Sequence, residues 1–142
     1  MRGPPRYNRK MEPRALEEIA RKYDIELIAE FGSMVTGHVH SRSDVDLAVL
    51  FRGRTPSFRE LADLGHELQA LHPGREVDLA VINHADPLFL KKITERCRLL
   101  HGSPRRLAEL RIYAFKRYQD HRRYLALEPE YVRRTLGRLS PP

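Results

Sequence analysis

The stretch that decides the fold runs Phe31-Gly32-Ser33, then ten residues, then Asp44-Val45-Asp46-Leu47-Ala48-Val49-Leu50-Phe51. The second half is mostly apolar and β-rich, the pattern of a strand buried on both faces. Side chains alternate along a strand, so Asp44 and Asp46 share one face while Val45, Leu47 and Val49 take the other. Two carboxylates about 7 Å apart on a buried face repel each other and are costly to desolvate. A fold keeps such a pair where a cation sits between them, and a hard divalent ion with oxygen ligands, Mg²⁺ above all, suits it best.

The residues just upstream supply a complementary half. Ile25 to Phe31 is a second short apolar run, and it ends at Gly32-Ser33, a strand entering a turn. Such a turn, leading into a short helix, presents free backbone N–H groups and a hydroxyl, a site made for phosphate. Downstream, Glu76-Val77-Asp78-Leu79-Ala80-Val81-Ile82 places a third carboxylate, Asp78, in a similar apolar frame. If that strand neighbours the Asp44–Asp46 strand, the three acids form a cluster able to hold two metal ions about 4 Å apart. Carboxylates for Mg²⁺ beside a phosphate-binding turn describe a nucleoside-triphosphate site that transfers a nucleotidyl or phosphoryl group.

Helices separate these strands. Leu16, Ile19, Ala20 and Tyr23 recur at helical spacing from Pro13 onward. Ser57 and Glu60 form a capping box ahead of a Leu61, Leu64, Leu68, Leu71 stripe that stops at Pro73-Gly74. Asp86-Pro87 starts another helix with Phe89, Ile93 and Cys97 expected on its inner face. Cys97 to His101 fits either the end of that helix or a short edge strand before Gly102, with the strand the favoured reading. From Pro104 a long helix is expected to turn Leu107, Leu110, Ala114, Tyr118 and Leu125 inward and to break near Pro129, with a last short helix from Tyr131 to Leu139. The order predicts one α/β (α+β) domain built on a small mixed sheet flanked by helices, preceded by a flexible basic arm over residues 1–11.

The motif set resembles a known family. Gly-Ser, ten residues, Asp-x-Asp and a later strand Asp, with a helix and strand ahead of them, are similar to the polymerase β-like nucleotidyltransferase superfamily. The block Phe31-Gly32-Ser33…Gly37…Ser43-Asp44-Val45-Asp46 resembles the minimal (MNT) nucleotidyltransferases most. The helical segment from Arg105 to Leu136 resembles, more weakly, the tails of MntA-type antitoxins, the partners of HepT toxins of the HEPN family. The resemblance implies a nucleotidyltransferase domain over 12–103, with 104–142 as a helical tail packed on the same domain. It implies that Asp44, Asp46 and Asp78 ligate Mg²⁺ and carry the catalysis, and that Gly32 and Ser33 hold the triphosphate of ATP beside Asp44 and Asp46. It implies transfer of AMP to a tyrosine of a HEPN-type toxin, which silences that toxin. Thr36 stands before Gly37, where many relatives carry a basic residue.

Composition narrows the alternatives. The chain has 142 residues, 41% hydrophobic and 32% charged, which excludes wholesale disorder and fits a single domain. No apolar run approaches the length of a membrane span, and no apolar segment follows the basic N-terminus, so a cytoplasmic protein without membrane contact is expected. Cys97 is the single cysteine, more suited to packing than to nucleophilic attack. His38 and His40 lack companions for a metal site and read as surface residues. The net charge of +7 is uneven: residues 1–14 hold five basic and one acidic residue, 15–95 nine and fourteen, and 96–142 twelve and four. An acidic centre suits a cation site and disfavours a nucleic-acid domain with a positive core face. Direct nucleic-acid binding through the tail tyrosines and arginines stays open but is the weaker reading, because a packed stripe with snorkelling arginines is commoner. The basic tail also disfavours a polycationic small-molecule acceptor such as an aminoglycoside. The remaining alternative to an enzyme is a module that masks its partner by binding alone.

Overall fold

The computed structural model describes residues 13–32 and 45–139, with side chains described as far as Tyr124. The arm 1–11, Ser33, Thr36, Gly37, His38, His40 and Asp44 lie outside the described residues. The chain forms α1 (Pro13–Lys22), β1 (Ile25–Phe31), β2 (Val45–Phe51), α2 (Phe58–Ala70), β3 (Val77–Val81), α3 (Pro87–Glu95), β4 (Arg98–His101) and α4 (Pro104–Leu139). The four strands make one sheet in the order β3-β2-β1-β4. β2 and β3 run parallel, joined by the α2 crossover, and β1 is antiparallel to both β2 and β4. This is the mixed sheet flanked by helices that the sequence predicts.

Period-2 alternation divides the core into two layers. Val45, Leu47, Val49 and Phe51 pack with Ile25 and Ile28 against Leu16, Ile19 and Ala20 of α1 and Leu64 and Leu68 of α2. The other face carries Leu27, Ala48, Leu50 and Ile82, covered by Leu90 and Ile93 of α3 and by Leu110 and Ala114 of α4. Each fully buried Leu or Ile in these layers contributes roughly 1.5–3 kcal/mol. Helix starts follow the sequence signals: Ser57 Oγ accepts the Glu60 N–H at 3.2 Å, and Asp86 Oδ1 accepts the Leu88 N–H at 2.7 Å, just ahead of Pro87.

Two sequence expectations need correction. The inner face of α3 is Leu90, Ile93 and Thr94, whereas Phe89 is 42% exposed. Phe89, Ile93 and Cys97 do follow an i, i+4, i+8 spacing. However, the helix stops at Glu95 and turns into β4, so its short contact stripe is set by residues 90, 93 and 94. The tail is one continuous helix, with no break at Pro129. A proline inside a helix removes one hydrogen bond and crowds one carbonyl, which weakens a turn without having to end the helix. No described helix is long and apolar enough to cross a membrane.

One buried charge stands inside the sheet. Glu30 is 1% exposed and pairs with Arg98, its register neighbour on β4, at 3.0 Å. Burying the carboxylate is costly, and the arginine offsets that cost at a place where the neighbouring strand positions are apolar.

Candidate active site

The site is built at the end of the sheet where β1 finishes and where β2 and β3 begin. Register fixes it: Phe31 is opposite Asp46 in the antiparallel β1–β2 pair, and Asp46 is opposite Asp78 in the parallel β2–β3 pair. The three side chains therefore form a row across three strands. Alternation puts that row on the α3–α4 face, since Ala48 and Leu50, two and four residues beyond Asp46, lie in that layer. Adjacent strands lie about 4.8 Å apart, so the two carboxylates are close neighbours. Asp46 is half-buried and Asp78 exposed, so the pair opens to solvent at the sheet's edge.

The main chain meets this pair at Gly32, which has φ +84°. A Cβ placed there would lie 2.2 Å from Asp46 Oδ2 and 3.1 Å from Cγ. The turn after β1 thus presses its backbone against the carboxylate, an approach only glycine permits. Of the residues assigned from sequence, Gly32, Asp46 and Asp78 come together here. Ser33 and Asp44, their immediate companions in the motif, lie outside the described residues. Among the described residues no three histidine, cysteine or acidic side chains converge on one point. What the described residues do bring together is the Asp46–Asp78 register pair, two carboxylates of the hard-oxygen kind that could hold Mg²⁺.

The structure adds supports that sequence reading missed. Gln69, near the end of α2, accepts the Val77 N–H at 2.9 Å and donates to the carbonyls of His72 and Arg75. One side chain thereby ties the turn before β3 to α2 and fixes the residue next to Asp78. The Val45 N–H donates to the Glu76 carbonyl at 2.8 Å, which locks the starts of β2 and β3 together. At the far end, Asn83 bonds both the N–H and the carbonyl of Phe51, at 2.9 and 2.8 Å. The signal for Gln69 is faint, a polar residue beside the Leu68 stripe. Glu30 is plainer, a charge inside an apolar strand.

Two groups that join α1 to α2 have shifted titration. Burial, followed by a hydrogen bond to Glu67, pushes the Tyr23 hydroxyl well above its usual range. That same hydrogen bond holds Glu67 below the usual carboxylate value. This pair joins the end of α1 to α2 and is structural. Burial also raises the Cys97 thiol, consistent with a packing role. A cavity of about 480 Å³ lies between the β3–α3 connection and α4, lined by Leu50, Ile82, His84, Tyr113 and Arg117 among others. It does not include the acid pair.

With this geometry in view, comparisons place the chain among known proteins. A family model described as "Polymerase beta, Nucleotidyltransferase" matches residues 14–106. No curated protein matches by sequence. Several solved structures share the fold. A chain of a toxin–antitoxin crystallised with AMP-PNP is 22% identical, with TM-score 0.66 over 89% of this chain and 99% of that one. A chain of the MntA–HepT toxin–antitoxin is 20% identical, with TM-score 0.60 over 88% and 96%. A chain of a complex between the tri-AMPylated Shewanella oneidensis HEPN toxin and its MNT antitoxin is 20% identical, with TM-score 0.59 over 88% and 95%.

Proposed function

Because the chain belongs to the polymerase β nucleotidyltransferase family, we propose that it transfers AMP from ATP to a hydroxyl of a HEPN-type toxin and so acts as its antitoxin. The observation that carries this reading is the Asp46–Asp78 register pair with the Gly32 backbone pressed against the Asp46 carboxylate. Structures that share the fold were solved with AMP-PNP and with an AMPylated HEPN toxin. Asp46 and Asp78, joined by Asp44, would hold Mg²⁺, with two ions as the expected complement. When bound, Mg²⁺ neutralises charge on the phosphates and lowers the cost of forming an oxyanion nucleophile.

The chain's own residues do the rest. Gly32 and Ser33 seat the triphosphate with its α-phosphorus facing the acids. The acceptor oxygen attacks that phosphorus, the bond to the bridging oxygen of the β-phosphate breaks, and pyrophosphate leaves. The acceptor's proton passes to the Asp78 carboxylate, the more exposed of the two described acids and so the one an incoming hydroxyl meets first. A tyrosine hydroxyl, with a pKa of about 10, is a weak nucleophile at neutral pH and needs this assistance.

The partner surface follows from α4. Ile112, Tyr113 and Phe115 are 58%, 54% and 54% exposed. They stand on a segment, residues 104–124, that holds seven basic and two acidic residues. Aromatic side chains with arginines around them are what protein interfaces enrich, and the charge selects an acidic partner.

The nucleotide half of the reading is tested by thermal melting with ATP, Mg²⁺, both and neither. Both together are expected to raise the melting temperature clearly, because a ligand at a hundred times its Kd adds about 2.7 kcal/mol. Either alone should do much less. No shift with millimolar Mg·ATP would contradict the site.

A further inference from the structure

We propose that the exposed ring of Phe89 is the surface on which the nucleobase stacks, so that the enzyme selects purine over pyrimidine nucleotides by ring size and leaves adenine and guanine poorly distinguished. The inference deepens the nucleotidyltransferase reading and rests on it. Phe89 stands off the buried face of α3, yet its ring is not loose. It meets Phe31 edge to face, with centroids 6.1 Å apart and planes at 85°. One side of the pair is thus fixed in the core layer, where Phe31 packs. The 42% exposure of Phe89 leaves the rest of its ring to solvent, beside Leu88 at 41%.

Location gives this ring its meaning. Phe31 is the register partner of Asp46, which is the partner of Asp78, so aromatic and acidic groups stand in one row on one sheet face. Facing residues on neighbouring strands have Cβ atoms about 5 Å apart. Adding the ring-to-ring step brings Phe89 within the span of one nucleoside triphosphate measured from the acids. Such a ligand has one highly charged end and one flat apolar end. With the phosphates at Gly32 and the carboxylates, its base needs a nearby flat apolar surface, and the described residues of this row offer the Phe31–Phe89 pair. An exposed aromatic side chain without a ligand gains nothing from water, whereas a stacked base covers it. Among the described residues this pair of rings supplies stacking without base-edge readout, and this sets the expected purine selectivity.

The test is calorimetric binding of Mg·ATP, Mg·GTP, Mg·CTP and Mg·tripolyphosphate to the full chain and to Phe89→Ala and Phe89→Tyr. Stacking predicts ATP and GTP within a few-fold of each other and both tighter than CTP. Phe89→Ala should weaken ATP about tenfold or more and leave tripolyphosphate unchanged, with a melting temperature lowered only by the lost ring contact with Phe31, while Phe89→Tyr restores ATP binding. Equal ATP affinity in parent and Phe89→Ala overturns the proposal, and a loss of transfer at unchanged ATP affinity would place the ring against the acceptor instead. An equal loss for tripolyphosphate also overturns it, since the ring would then act only by shaping the site. A parent that binds tripolyphosphate and none of the nucleotides removes the stacking surface but keeps the phosphate site. A parent that binds none of the four removes the nucleotidyltransferase reading itself.

Discussion

Asp46→Asn is expected to lower AMP transfer by about three orders of magnitude or more while leaving the folded protein as stable as the parent or more so. The two effects have one cause. In the folded chain Asp46 faces Asp78 across the parallel β2–β3 pair. Two negative charges at this spacing repel each other. Asparagine keeps the shape and removes one of the charges, so the apo protein loses repulsion rather than packing. Transfer loses an anionic oxygen ligand at the point where phosphate charge must be stabilised, an interaction worth several kcal/mol. Melting without Mg²⁺ and transfer of label from α-labelled ATP read the two effects separately. Equal transfer in parent and variant would make Asp46 a structural residue.

Gly32→Ala is expected to be nearly as damaging to transfer and, unlike the asparagine variant, to destabilise the fold. At φ +84° an L-residue is strained, at a cost of about 1–2 kcal/mol. The added methyl would also lie 2.2 Å from Asp46 Oδ2, so either the turn or the carboxylate must move. Gly53 serves as the control: its φ is +72°, and a Cβ there meets nothing within 4 Å. Gly53→Ala should show the backbone strain alone, a modest fall in melting temperature with transfer intact. If Gly32→Ala and Gly53→Ala behave alike, the contact between the turn and Asp46 has no part in the chemistry.

Much of this architecture was legible because apolar alternation and the site use the same strands. The run Ile25–Phe31 predicts β1 to the residue, and the matching apolar frames around Asp46 and Asp78 mark two strands, which the parallel register places side by side. What the sequence conceals is lateral. Nothing in a linear reading pairs Glu30 with Arg98, because that contact exists only once β4 lies against β1. Gln69 is equally silent, since its three backbone partners lie in a turn whose path depends on the α2 crossover. The misassigned face of α3 arises from extending a helical period past the point where the chain becomes β4. Pro129 costs one hydrogen bond, too little to end a 36-residue helix. Ser33 and Asp44 remain assignments from motif and resemblance, because they lie outside the described residues.

The central claim is covalent transfer of AMP to a protein partner, and intact mass spectrometry tests it most directly. The chain is co-expressed with the product of the adjacent gene, and that protein is weighed after purification. A gain of about 329 Da for each AMP is expected on the partner, present with the parent chain and absent with Asp46→Asn, as transfer with loss of pyrophosphate requires. A partner of unchanged mass, bound stably to the parent chain while Mg·ATP is present, would contradict enzymatic transfer and leave an antitoxin that acts by masking.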